Sequence, residues 1–163
     1  VKSSTLAFPP EKNPSNPGLR LTISLVTGEA MFTRFKVLLQ AANLPVSDLG
    51  QDGQFLYLFT VDEAEAGTGG FEFHNNHALI RSVSVTNNTR SQGIGSEILS
   101  HLKDSARSMG ATDFYLLTTN AAAFFERHGF TPINRSEAPE PIRKSTEFSS
   151  VCPASAVLMR CPA

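Results

Sequence analysis

Six residues, Arg90-Ser91-Gln92-Gly93-Ile94-Gly95, have the composition of a turn that holds a phosphate at the start of a helix. Glycines let a backbone approach a ligand closely, the first amides of a helix have no acceptor within it, and a nearby arginine adds positive charge. The amides of Gly93, Ile94, Gly95 and Ser96 are the donors such a turn would present. A bare G-x-G also suits a simple tight connection, so its context must decide. A dinucleotide-binding turn wants a third glycine where Ile98 stands, and a nucleoside-triphosphate loop wants Gly-Lys-Ser/Thr, which is absent.

Three side chains upstream could accept a proton, directly or through water: Glu72, His74 and His77. Arg81 interrupts an apolar segment and shares a strand face with Leu79, Val83 and Val85. It reads either as a structural ion pair with an acid of the same hairpin or as an anchor for a substrate carboxylate, which a planar guanidinium suits. Arg143 and Ser155 suggest the same carboxylate chemistry.

The elements that must position these residues are legible from periodicity. Leu19 to Val26 alternates as a half-buried strand, and Phe32, Phe35, Leu38, Leu39 and Ala42 keep helical spacing up to Asn43-Leu44-Pro45. Phe55 to Val61 is a nearly unbroken apolar run, expected to be covered on both faces. Gly69 to His74 and Ala78 to Val85 form a hairpin around Asn75-Asn76, preceded by an acidic turn at Asp62, Glu63 and Glu65. Ile94, Ile98, Leu102, Ala106 and Met109 line one face of the helix that the glycine turn opens, with Gly110 as its cap. Next come a strand at Phe114 to Leu117 and a helix from Ala121 to His128, capped by Thr119 or Asn120 and ended by Gly129. Phe130 to Ile133 and Ala154 to Arg160 are the last strands. The stretch between them has no readable pattern, and residues 1–18, rich in proline and asparagine, read as a flexible tail before a single domain over 19–163.

Composition narrows the partners. With 14 basic and 15 acidic residues among 163, the net charge of -1 offers no field for nucleic acid or a membrane surface. No apolar run reaches the roughly 18 residues of a membrane span, and Lys2 does not precede a signal-peptide core, so a cytoplasmic location is expected. Cys152 and Cys161 would be held about 20 Å apart by the intervening strand, as two unpaired thiols, and no metal site is expected.

Val83-Ser84-Val85, a short loop, Arg90-x-x-Gly93-x-Gly95, an amphipathic helix, a strand, and Phe124-Phe125-Glu126-Arg127-His128-Gly129-Phe130 occur in the order of the GCN5-related N-acetyltransferase family, which the chain resembles from Leu19 to Arg160. The resemblance implies a single α/β (α+β) domain with a central mixed, twisted sheet, helices on both faces and a splayed central strand pair. It implies acetyl-CoA as cofactor, its pyrophosphate on Arg90, Ser91 and the amides of Gln92 to Ser96, its pantetheine beside Val83, Ser84 and Val85, and its far end flanked by Asn120, Phe124 and Phe125. The amide of Val83 or its neighbour would serve as oxyanion donor, with Glu72, His74 or His77 as base. The tyrosine that often serves as general acid in this family is replaced by Phe125, which leaves Tyr115 as a substitute. Leu116-Leu117-Thr118-Thr119, Phe124-Phe125, Arg143 and Ser155 further resemble the acetyltransferase domain of N-acetylglutamate synthases, and Pro141 to Ala156 resembles small relatives associated with arsenic-resistance operons. Both imply a small amine carrying a carboxylate, held by Arg81, Arg143 and Ser155, without the kinase-like domain of the full synthases. Polyamines, with Asp62, Glu63 and Glu65 as an acidic groove, protein N-termini, and a non-catalytic CoA-binding module are the alternatives. The architecture also implies pairing into a homodimer through edge strands.

Overall fold

The structure is a computed structural model that describes residues 11–12, 20–86, 93–151 and 153–163. Its elements run β1 (Glu11–Lys12), β2 (Arg20–Leu25), α1 (Gly28–Ala41), β3 (Gln54–Val61), β4 (Ala64–His74), β5 (His77–Val85), α2 (Ile94–Ser108), β6 (Asp113–Thr118), α3 (Ala122–Glu126), β7 (Thr131–Ile133), α4 (Glu140–Arg143) and β8 (Val157–Pro162). The strands hydrogen-bond in the order β1-β2-β3-β4-β5-β6-β8-β7. β5 and β6 are parallel while β1–β2, β2–β3, β6–β8 and β7–β8 are antiparallel, the mixed sheet that was expected. β5 and β6 pair only over His77↔Asp113, Ala78↔Phe114 and Leu79↔Tyr115, although β5 continues to Val85 and β6 to Thr118. This is the splay the resemblance implied.

The chain forms two compact units. The first draws on Val1–Val46, Phe55–Gly70 and Ser82–His101. Within it α1 starts earlier than its apolar spacing suggested, because Gly28, Glu29 and Ala30 at its start are exposed and carry no core-facing pattern: Thr27 stands at the N-cap in extended geometry and Glu29 meets the positive end of the helix dipole. The helix buries Phe35 and Leu39, and Asn43, left-handed at φ 57, ends it. Leu56, Tyr57, Leu58 and Phe59 are buried in succession, which agrees with a strand covered on both faces. Glu11 and Lys12, inside the expected tail, pair with Leu21 and Arg20.

The second unit draws on Ser47–Gln54, Phe71–Arg81 and Leu102–Ala163. Here Leu79, Tyr115, Ala138, Ile142 and Leu158 form a buried cluster, so part of the unreadable segment supplies core through the short helix α4. Two boundaries differ from the sequence expectation. β8 begins at Val157 rather than Ala154 because a turn closes from the Ala156 N–H to the Pro153 carbonyl at 3.0 Å, and Arg135 donates to the carbonyls of Pro153 and Ala156. α3 spans Ala122–Glu126 only, and neither Thr119 nor Asn120 caps it; the Ala121 N–H donates instead to the Thr118 hydroxyl at 3.0 Å.

Candidate functional site

Arg90, Ser91 and Gln92 lie outside the described residues. From Gly93 onward the backbone fits a phosphate-holding turn. Gly93 has φ 75, which a side chain would strain, and α2 begins at the next residue. The helix closes on this glycine through the Glu97 N–H and the Gly93 carbonyl at 3.2 Å. Ile94 is buried at 1% exposure and anchors the first turn, while Gly95 adds no side chain above the amides. α2 buries Ile98, Leu99, Leu102 and Ala106, so its dipole ends at a rigid point.

Val83, Ser84 and Val85 are half-buried on β5, and the residue before them is unusual. Ser82 has φ 59 inside a strand, a conformation that costs a non-glycine residue of order 1–3 kcal/mol and persists only where its surroundings impose it. They do so from β4. The Thr68 hydroxyl, fully buried, donates to the Ser82 carbonyl at 2.8 Å and lies 2.6 Å from the Ser84 hydroxyl. Since Thr68 has one proton and spends it on Ser82, Ser84 must donate to Thr68. The adjacent Gly67 has no alternative: a Cβ there would collide with the Ser84 carbonyl and stand 2.8 Å from Ile98 Cδ1. Thr86 ties the end of β5 to β4 through its N–H and the Ala66 carbonyl at 2.8 Å. Sequence reasoning missed Thr68, whose only signal was a hydroxyl in a run of glycine and alanine.

Asn120 is exposed, Phe124 is half-buried and Phe125 is buried. Phe125 meets Phe124 and Phe130 edge-on, with ring centroids 5.1 and 5.8 Å away, so its ring belongs to an aromatic cluster. The phenol expected at this position in relatives is thus replaced by packing.

Two of the candidate bases, Glu72 and His74, belong to an ionic chain with Arg81 and Asp48 in the second unit. Arg81 binds both oxygens of Asp48, with Nη2 2.8 Å from Oδ1, and its Nη1 donates to Glu72 Oε1 at 3.1 Å. Glu72 Oε2 lies 3.4 Å from His74 Nε2, without hydrogen-bond geometry. Burial alone would lower the Arg81 pKa, but the hydrogen bond to Asp48 and the charges of Glu147, Asp48 and Glu72 outweigh it and hold it above its ordinary value. Arg81 is 3% exposed, so a substrate carboxylate would have to displace Asp48 to reach it. Of the two readings open from sequence, the geometry is that of the ion pair. Asp48, 33 residues away in an irregular loop, gave no sequence signal.

Tyr115, the proposed substitute acid, is buried and donates to Asp113 Oδ2 at 2.9 Å, while Arg160 Nε donates to the phenol oxygen at 3.3 Å. Burial and then the bond to Asp113 raise its pKa, which commits its proton to that carboxylate. His77 belongs to the same group, with Nδ1 2.5 Å from Asp113 Oδ1. Arg143, the last residue of α4, and Ser155 are both exposed. Among the described residues no cluster of three or more His, Cys, Asp or Glu could hold a metal, and no helix is long and apolar enough to cross a membrane.

Comparison with known proteins agrees with this geometry. Residues 52–132 match the family model of the acetyltransferase (GNAT) domain. The amino-acid acetyltransferase of Neisseria meningitidis is 32% identical over 65 residues, which cover 40% of this chain but only 15% of that protein. N-acetylglutamate synthase from Neisseria gonorrhoeae, solved with coenzyme A and L-arginine, superposes with a TM-score of 0.69 at 17% identity, covering 87% of this chain and 33% of that one. The ribosomal-protein-S18-alanine N-acetyltransferase of Escherichia coli gives 0.66 at 20% identity, covering 87% and 93%. The chain therefore spans a minor part of the Neisseria proteins and nearly the whole of the smaller enzyme, with the same fold in both. The glycine turn opening α2, the splayed β5 and β6, and the matched residues together place this chain in the GNAT acetyltransferases, a family that uses acetyl-CoA.

Proposed function

We propose that the protein transfers the acetyl group of acetyl-CoA to the amine of a small amino-acid-like substrate. The observation that carries the reading is the left-handed Gly93 opening α2, the next element after a strand whose Ser82 and Ser84 are held from β4 by Thr68. The first-turn amides from Gly93 to Ser96, with Arg90, Ser91 and Gln92, would hold the pyrophosphate, and Val83 to Val85 would run beside the pantetheine. Asn120, Phe124 and Phe125 would flank its far end. When bound, acetyl-CoA supplies an activated carbonyl and a thiolate leaving group.

The chain's own residues must then accept a proton from the amine and stabilise the oxyanion. The Val83 N–H is assigned the oxyanion. His74 is assigned the proton, with Glu72 Oε2 3.4 Å from its Nε2 and with Arg81, itself paired to Asp48, holding Glu72 in place. An amino-acid substrate is supported by the similarity to amino-acid acetyltransferases, and the exposed Arg143 and Ser155 are the residues assigned to its carboxylate. The test is thiol release from acetyl-CoA across free amino acids, polyamines and peptides. Turnover confined to amino acids, with Arg143→Ala raising KM about tenfold at unchanged kcat, is the expected result. Turnover of polyamines alone would replace this substrate class.

A further inference from the structure

Thr68 has a role in this reaction beyond holding a strand together. The Ser82 carbonyl and the Val83 N–H belong to one planar trans peptide, so they point in opposite directions. Whatever fixes the carbonyl aims the amide. Thr68 fixes it with a hydroxyl that is completely buried and 2.8 Å away, and the rotor of that hydroxyl is itself set by the proton received from Ser84 at 2.6 Å. Ser82 is left-handed at φ 59, a geometry that a strand does not adopt unaided and that reorients the next peptide. Gly67 allows β5 to lie close enough for the bond, because any Cβ there would strike the Ser84 carbonyl. The Val83 N–H is thereby directed away from β4, on a strand whose pairing with β6 has already stopped at Leu79.

We infer that Thr68 is a positioning residue for acetyl transfer: its bond to the Ser82 carbonyl aims the Val83 amide at the thioester carbonyl. The inference rests on the proposed function, since it takes the Val83 amide as the oxyanion donor. A donor fixed before reaction needs no reorganisation when charge develops, and one misaligned by a lost clamp loses part of that advantage.

The experiment is isotope-edited infrared spectroscopy of acetyl-CoA carrying carbon-13 at its thioester carbonyl, bound to the full chain. This readout needs no acceptor amine. In the wild-type protein the carbonyl band should move to lower frequency on binding. Thr68→Val, which keeps the shape and removes the hydroxyl, should lose about half of that shift or more with acetyl-CoA affinity kept within about twofold, because only the polarising contact is changed. Thr68→Ser should keep the shift. If Thr68→Val does not fold, Ser84→Ala, which removes the hydroxyl orienting Thr68, should lose a smaller part of the shift, measured at saturating acetyl-CoA. Once an acceptor is found, Thr68→Val should lower kcat about tenfold and leave KM for both substrates near wild type. A wild-type protein that does not bind acetyl-CoA would remove the proposed function and this inference together. Binding without a carbonyl shift would remove the Val83 amide as oxyanion donor and this inference with it, leaving the cofactor in place; a shift that survives unchanged in folded Thr68→Val or Ser84→Ala would overturn this inference alone.

Discussion

Two groups in the second unit each set a carboxylate between an arginine and a histidine, and they differ in how much water reaches them. Glu72 stands between Arg81 and His74, with Asp48 completing the group; the side chains of Arg81 and Asp48 are each 1% exposed. Asp113 stands between Arg160 and His77, with Tyr115 completing it, and the side chain of Arg160 is 42% exposed. In the enclosed group each charge has lost its hydration, so every partner is needed to compensate for it. In the open group water screens the outer cation and makes it dispensable. Similar chemistry is therefore a structural commitment in one place and a surface adjustment in the other.

The strongest test of this contrast is Arg81→Met, which leaves Asp48 and Glu72 buried without their cation and should cost about 3–5 kcal/mol in urea unfolding. Arg81→Lys should recover only part of this, since an ammonium cannot grip both oxygens of Asp48. A loss below about 1 kcal/mol for the methionine variant would put the two groups on the same footing.

Asp113→Asn comes next, at about 1–3 kcal/mol near neutral pH. Burial alone would raise the Asp113 carboxyl, but the hydrogen bonds from His77 and Tyr115 outweigh it and hold it below the usual range. A carboxyl depressed in the native state contributes its stability above the unfolded value of about 3.9 and loses it as pH falls through the native value. Urea curves of wild type and Asp113→Asn should thus converge in acid. A gap that persists there would show that packing, and not charge, sets the difference.

The smallest effect belongs to Arg160→Ala, expected below about 1 kcal/mol and shrinking further as salt is added. A larger, salt-independent loss would show that its stem, and not its charge, supports the β7–β8 ladder.

Periodicity reveals residues that act through their own element. The spacing of Ile94, Ile98, Leu102 and Ala106 announced α2, and Gly93 announced the turn that opens it. Partners brought together by register or by a loop leave no such trace. Asp48 reaches Arg81 from an irregular turn, and Thr68 reaches Ser82 across neighbouring strands, so each looked like an ordinary polar residue until the fold supplied its counterpart. The segment before β8 was unreadable for another reason. Its helical turns, Arg135–Glu137, Glu140–Arg143 and Glu147–Val151, are too short to repeat an apolar pattern, although Ala138 and Ile142 are buried in the core.

Cys161 gives the molecule a built-in clock. The thiol is 7% exposed on β8, opposite Phe114 in the β6 register, and donates to the Pro162 carbonyl at 3.4 Å with the Lys103 ammonium 3.6 Å away. A thiol reagent can reach it only when the end of this ladder opens, so in a Cys152→Ser background the labelling rate counts those openings. The same colour reaction that detects released coenzyme A would then report, at a slower pace, how often this end of the β6–β8 ladder opens.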